Sequence, residues 1–207
     1  GPDALDNLYK VACDELRKVD MSMIKPTDSV NVLASHHGFT LLGGQPYAIL
    51  LKAIRDVVHE KTGTDDIRLR AGVGMRFRET EEYIKRYELD KHYGPGKTKG
   101  VAPVDEGIPI ETEVGTLYGI KAIYDADWII HAHHTDVREV HFHRQIDKAV
   151  KPFGMSYARI ETRSTYHQNL GPRAANFTAR AIFESKFVQS KFAFGAFLNV
   201  GPHGVIG

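Results

Sequence analysis

The spacing of apolar residues along the 207-residue chain predicts helices and strands in alternation. Apolar residues recur every three or four positions over residues 3–19 and 47–60, which predicts two amphipathic helices, the second ending at Gly63. Short apolar or alternating runs at residues 30–34, 67–72 and 127–132 predict strands. We therefore expect an α/β fold with a mostly parallel, Rossmann-like sheet and helices on both of its faces.

The remaining segments give weaker patterns. Helical spacing is found at residues 80–89, 116–124, 137–150 and 174–189, whereas residues 108–114 and 155–162 are strand-like and residues 192–200 form a last apolar run. Residues 94–104 are basic and rich in glycine and proline, which predicts a loop. Composition does not shift along the chain, so we expect a single α/β domain over residues 1–207.

Composition and charge narrow the classes of function. The chain has 27 Lys and Arg against 26 Asp and Glu, so no basic surplus favours nucleic acid or an anionic membrane. Its apolar runs are too short for a membrane span, and the single cysteine, Cys13, suits a reducing compartment, so we expect a cytoplasmic protein. Because the chain begins with Gly1-Pro2 and ends on apolar residues, we expect it to be a fragment of a longer protein.

Histidine is the unusual component, with 11 copies in the chain. His131, His133 and His134 end the clearest predicted strand, and alternation along a strand places the first two on one face. His36 and His37 follow another predicted strand, and His141 lies a few residues beyond the first group. Imidazole binds transition metals and exchanges protons near neutral pH, and parallel sheets bind ligands at the carboxyl ends of their strands. The pattern thus predicts a site at this edge of the sheet.

Several short motifs follow one another over residues 4–152. Pro26-Thr27-Asp28 leads into a strand and then residues 34–40, and a second strand ends at residues 71–76 and is followed by Thr80-Glu81-Glu82. Residues 139–142 read Glu-Val-His-Phe. In this order the motifs resemble the N-terminal domain of the lactate racemase family, which has Asp-x-Thr-Arg-Pro-Thr where this chain has residues 34–40 and Glu-Pro-His-Phe at the last position.

The resemblance implies an isomerase, a racemase or epimerase that interconverts the stereoisomers of a small 2-hydroxy acid. Family enzymes move a hydride onto a nickel pincer nucleotide of the pyridinium-dithiocarboxylate type, which a lysine tethers and a histidine helps to ligate. Two histidines exchange the hydroxyl proton and an arginine holds the substrate carboxylate. Carried onto this chain, these roles fall to His141 with His36 or His37 for the proton, Arg76 or Arg138 for the carboxylate, Lys148 or Lys151 for the tether, and His167 for nickel.

The departures from the family pattern leave two other functions open. His36-His37-Gly38-Phe39 occupies the acidic and arginine positions of the first motif, and the histidine of the second motif is missing. The first alternative is a hydrolase in which His131, His133 and His134 hold a divalent metal, and the second is a non-catalytic relative that binds a ligand. A small carboxylate is the expected substrate. Besides the substrate, we expect the chain to associate either with a second copy of itself or with a C-terminal domain that this chain lacks.

Overall fold

The computed structural model describes residues 2–40, 44–73, 79–134, 145–169, 175–201 and 204–205. The strands are β1 (Val30–Ser35), β2 (Ile67–Gly72), β3 (Thr98–Val101), β4 (Gly107–Thr112), β5 (Gly115–Ile120), β6 (Trp128–His134), β7 (Phe192–Leu198), β8 (Val200–Gly201) and β9 (Gly204–Val205). Five of them form the main sheet in the order β3-β2-β1-β6-β7, and every neighbouring pair is parallel. The expected α/β fold with a parallel sheet is confirmed.

Helices connect these strands. They are α1 (Pro2–Arg17), α2 (His36–Thr40), α3 (Gln45–Thr62), α4 (Glu79–Arg86), α5 (Leu89–Tyr93), α6 (Lys121–Tyr124), α7 (Gln145–Gly154), α8 (Ile160–Asn169), α9 (Ala175–Phe183) and α10 (Lys186–Lys191). The end of α3 is confirmed, because Gly63 has a φ of 73° that glycine adopts without strain. Over the described ranges, none of the helices is long and apolar enough to cross a membrane.

The strand order reverses between β1 and β6. From β1 the chain continues to β2 and β3 on one side, and then crosses to β6 and β7 on the other side. Because the strands are parallel, the carboxyl ends of β1 and β6 lie at the same edge of the sheet. In open parallel sheets, ligands bind in the crevice that such a reversal leaves.

Alternation along the central strands builds a core on each face of the sheet. Val30, Val32 and Ala34 of β1 contribute to a cluster with residues of α1, α3, α4 and α5. Leu33 of β1 and Ile129 of β6 contribute to a second cluster with residues of the β4–β5 hairpin and of α6, α7, α9 and α10. Strands that are buried on both faces have little polar sequence, which is why the sequence pattern identified them.

Three local predictions were wrong. Residues 94–104 include β3, which pairs with the outer edge of β2. The helix expected at residues 116–124 is strand β5 followed by the short α6, because β5 pairs with β4 across a turn in which Gly115 has a φ of 104°. The strand expected at residues 155–162 is a turn and the beginning of α8. In each case pairing or packing with a distant segment decides the local structure.

Candidate functional site

Strands β1 and β6 separate at their carboxyl ends, and the Tyr47 hydroxyl lies between them. Their paired register ends at Leu33 and His131. Beyond that point the Ser35 N–H donates to the Tyr47 hydroxyl at 3.1 Å, and that hydroxyl donates to the Ala132 carbonyl at 2.7 Å. A side chain from α3 thus replaces the direct strand-to-strand hydrogen bond. This divergence of the strands lies at the reversal of the strand order, where a ligand crevice is expected.

Replacing Tyr47 with phenylalanine should lower the free energy of unfolding by about 2 kcal/mol, because the Ser35 N–H and the Ala132 carbonyl would lose their shared partner in a buried place. Urea unfolding measures the change. Tyr93→Phe is the matched control, because its buried hydroxyl donates only to the Leu51 carbonyl inside α3, and we expect a loss of about 1 kcal/mol there. Equal losses in the two variants would contradict a bridging role for Tyr47.

The three histidines of β6 are all buried, and the ring centroids of His133 and His134 are 4.9 Å apart. The rings of His131 and His133 lie nearly parallel, with their centroids 5.4 Å apart, so the expectation that these two share a face is confirmed. His134 contacts the ring of Tyr47, with centroids 6.2 Å apart, on the face that α3 covers. The three imidazoles therefore form one contiguous cluster, in which His134 lies beside the tyrosine that separates the strands.

His131 lies in an aromatic environment that keeps it neutral. Its Nδ1 is hydrogen-bonded to the Tyr157 hydroxyl at 3.0 Å, and Phe153 packs against its ring. Burial lowers the pKa of His131 to about 3, although a hydrogen bond to the backbone of Ala149 acts in the opposite direction. At neutral pH this imidazole carries no charge. A neutral imidazole can ligate a metal, but one with so low a pKa is a weak proton acceptor.

His36 and His37 begin α2 directly after β1. The Nε2 atom of His36 is 2.6 Å from Oε2 of Glu79, the first residue of α4, and its ring contacts the edge of Tyr83. His37 is exposed, and its ring centroid is 6.0 Å from that of His36. The end of β1 therefore presents an imidazole that is paired with a carboxylate, which is an arrangement suited to proton exchange.

An apolar wall lies beside the β6 histidines. Phe197 of β7 is 39% exposed, and its ring stands edge-on to both His131 and His133, with centroids 6.1 and 6.2 Å away. Polar groups that converge beside an exposed apolar surface are typical of small-molecule sites. The carboxyl ends of β6 and β7 thus place imidazoles beside an exposed aromatic side chain.

Five of the residues predicted for the site lie at the carboxyl ends of β1 and β6, in two groups that each make ring contacts of their own: His36 with His37, and His131 and His134 with His133. Lys151 is exposed on α7. For Lys148 on α7 and His167 on α8 only the backbone is described, and Arg76, Arg138 and His141 lie outside the described residues. The roles assigned to all of these residues stay predictions.

In the described part of the chain, no three His, Cys, Asp or Glu side chains come together in a way that would hold a metal ion. The β6 histidines therefore do not form a metal site by themselves, and a nickel or zinc site would need donors from elsewhere.

Sequence reasoning missed Tyr47, Glu79 and Tyr157, which contact the histidines. The sequence did contain a signal for Glu79, because this residue begins an acidic helix that follows β2. Strand β2 lies next to β1 in the sheet.

The fold defines a Rossmann-like α/β domain with histidines at the carboxyl edge of its sheet. The structure is similar to that of the lactate racemase apoprotein from Thermoanaerobacterium thermosaccharolyticum, with a TM-score of 0.67 and 13% sequence identity. The similarity covers 97% of this chain and 51% of that chain, so the chain spans about half the length of that racemase. Neither a protein-family model nor a curated protein sequence matches the chain. At this identity the similarity establishes the shared fold alone.

Proposed function

We propose that this chain is the α/β half of a racemase or epimerase that acts on a small 2-hydroxy acid in the crevice between β1 and β6. The observation that carries the proposal is that histidines follow or end both β1 and β6, the two neighbouring strands at the reversal of strand order. Two groups of imidazoles beside one crevice suit a reaction that moves a proton from either side of a substrate. The racemase fold of the structural neighbour supports the same reaction class.

Within this proposal, the histidines have different tasks because their environments differ. His36 is 21% exposed and paired with Glu79, so it can exchange a proton with a ligand hydroxyl, together with His37 or His141. His131 is neutral and buried, so it shapes the wall of the crevice. Arg76 or Arg138 holds the substrate carboxylate, because a guanidinium group binds a carboxylate through two parallel hydrogen bonds.

The proposed cofactor is a nickel pincer nucleotide, which supplies a hydride acceptor when bound. Lys148 or Lys151 would tether this cofactor, and His167 would help to ligate the nickel. Of these three side chains the structure describes that of Lys151, which is exposed. The described residues do not provide a nickel site by themselves. The cover over the crevice would come from a C-terminal domain or from a second copy of the chain.

The test is to produce the protein together with the enzymes that synthesise the cofactor, and then to measure its intact mass, its metal content and the racemisation of L-lactate and D-lactate. We expect an adduct on one lysine, bound nickel, and a rate of racemisation that falls by 10²- to 10⁴-fold in His36→Gln. An unmodified mass without nickel would overturn the cofactor proposal. Zinc without an adduct would favour the metal hydrolase, and ligand binding that is unchanged in His141→Gln and Lys148→Ala would favour a non-catalytic relative.

A further inference from the structure

Glu79 and His36 form a carboxylate–imidazole pair between two elements that are far apart in the sequence. The 2.6 Å distance from Nε2 to Oε2 is that of a short hydrogen bond strengthened by charge. The two side chains are 28% and 21% exposed, so solvent reaches the pair and screens it only in part. His36 begins α2 after β1, and Glu79 begins α4, which follows β2, the neighbour of β1 in the sheet. The pair therefore lies at the carboxyl edge of two adjacent strands.

The pair determines which nitrogen of His36 can accept a proton. An ionised carboxylate has only acceptors, so the hydrogen bond requires the proton to be on Nε2. In a neutral imidazole the lone pair is then on Nδ1. Within the described ranges, no hydrogen bond to Nδ1 is present. Among the described residues, the rings of His37 and Tyr83 also face this ring, and both make edge contacts with it.

We infer that Glu79 is the positioning residue for His36: it holds the ring with Nε2 protonated, so that Nδ1 accepts the hydroxyl proton of the ligand. This inference rests on the proposed function, in which His36 exchanges that proton. In the step, the O–H bond of the ligand breaks, an N–H bond forms on Nδ1, and the electron pair stays on the ligand oxygen. The Glu79 carboxylate stabilises the imidazolium that results, and the reverse transfer restores both partners. The step itself consumes no oxidant or reductant.

Helix α4 offers matched variants. Glu79→Met removes the acceptor, whereas Glu79→Gln keeps an acceptor oxygen without its charge. Glu82→Gln is the control. Glu82 is exposed on the same helix, and its replacement removes one negative charge from the same acidic first turn. The free energy of unfolding is measured for each variant. If the pair serves stability alone, the changes in the NMR signal and in kcat should follow the changes in that free energy.

The first measurement is the proton NMR spectrum of the imidazole in the ¹⁵N-labelled full chain, with His36→Gln used for assignment. We expect a downfield, slowly exchanging Nε2 proton in the wild type and in Glu82→Gln, a weaker downfield shift in Glu79→Gln, and loss of the signal in Glu79→Met. If the wild type lacks this signal, or if Glu79→Met keeps it, the inference is overturned. This measurement needs neither cofactor nor substrate, so it stands apart from the test of the proposed function.

The second measurement titrates the protein with L-lactate and with propionate, which has the carboxylate but no hydroxyl group. We expect L-lactate alone to shift the His36 Nδ1 resonance, and the shift to disappear in Glu79→Met but not in Glu82→Gln. In the loaded enzyme, Glu79→Met should lower kcat by about 100-fold with little change in KM, and Glu79→Gln should restore part of the rate. An active wild type whose kcat is unaffected by Glu79→Met would refute the positioning role and leave the proposed function in place.

Discussion

The free energy of unfolding should fall between pH 6.5 and pH 3, and much of that fall should be absent in His131→Gln. Burial lowers the pKa of His131 from 6.5 to about 3 in the folded protein. An unfolded chain exposes this imidazole, so below pH 6.5 unfolding takes up a proton that the folded state does not bind. The stability that depends on a neutral His131 is therefore complete above pH 6.5 and is lost as the pH falls toward 3.

The expected effect is large for one side chain. The interval from 6.5 down to about 3 corresponds to about 5 kcal/mol at most, because each pKa unit is worth about 1.4 kcal/mol. Urea unfolding at half-unit steps from pH 4 to pH 8 measures it. Glutamine does not titrate and can still accept a hydrogen bond from the Tyr157 hydroxyl. The His131→Gln protein should therefore differ from the wild type in stability at neutral pH, and the slope of its free energy of unfolding against pH should be smaller by about one proton.

The control for this prediction is His59→Gln, which removes an imidazole whose side chain is 44% exposed on α3. This variant removes an imidazole without opening a buried site, so it reports the effect of losing a histidine as such. Identical slopes for the wild type and His131→Gln would show that His131 is not held neutral in the folded state.

Gly72→Ala should lower the free energy of unfolding by about 3 kcal/mol. A Cβ atom on Gly72, the last residue of β2, would lie 2.3 Å from the carbonyl oxygen of Ser156 and 2.9 Å from its carbonyl carbon. These are backbone atoms of the turn between α7 and α8, so the turn has to move as a whole. The same turn carries Tyr157, so its displacement should also break the hydrogen bond to His131.

Gly107→Ala tests whether crowding of the backbone is the cause. A Cβ atom on Gly107 would lie 2.6 Å from Cδ and 2.8 Å from Cγ of Arg159, which belong to a flexible side chain. The side chain has to shift and weaken its hydrogen bonds to the Val104 and Asp105 carbonyls, but no backbone has to move, so we expect a loss of about 1 kcal/mol in the same urea experiment. A Gly72→Ala variant that is as stable as Gly107→Ala would mean that the turn does not press on β2.

The central strands could be predicted from the sequence because each is decided by its own composition. Residues 30–34 and 127–132 are apolar except at Asn31, Asp127 and His131, and a strand that is covered on both sides needs such a mostly apolar pattern. Strand β5 could not be predicted, because Leu117, Ile120 and Ile123 also suit one face of a helix. Pairing with β4 decides between the two, and a partner strand is not visible in local periodicity.

The site divides in the same way. The sequence identified His36, His37 and the β6 histidines, because the ends of strands can be read from apolar runs and the chemistry of imidazole is known. It did not identify Tyr47, Glu79 or Tyr157, because each reaches a histidine across the fold: Glu79 lies 43 residues from His36, and Tyr157 lies 26 residues from His131.

By itself, the sequence determined a parallel α/β fold, its central strands and the histidines at their carboxyl ends, since burial on both faces and residue type are local properties. Only the tertiary structure decided which histidine is neutral and which has a carboxylate partner. Those properties depend on the dielectric environment and on hydrogen bonds to distant segments, and packing alone sets both. His131 and His36 are therefore the same residue type with different chemistry.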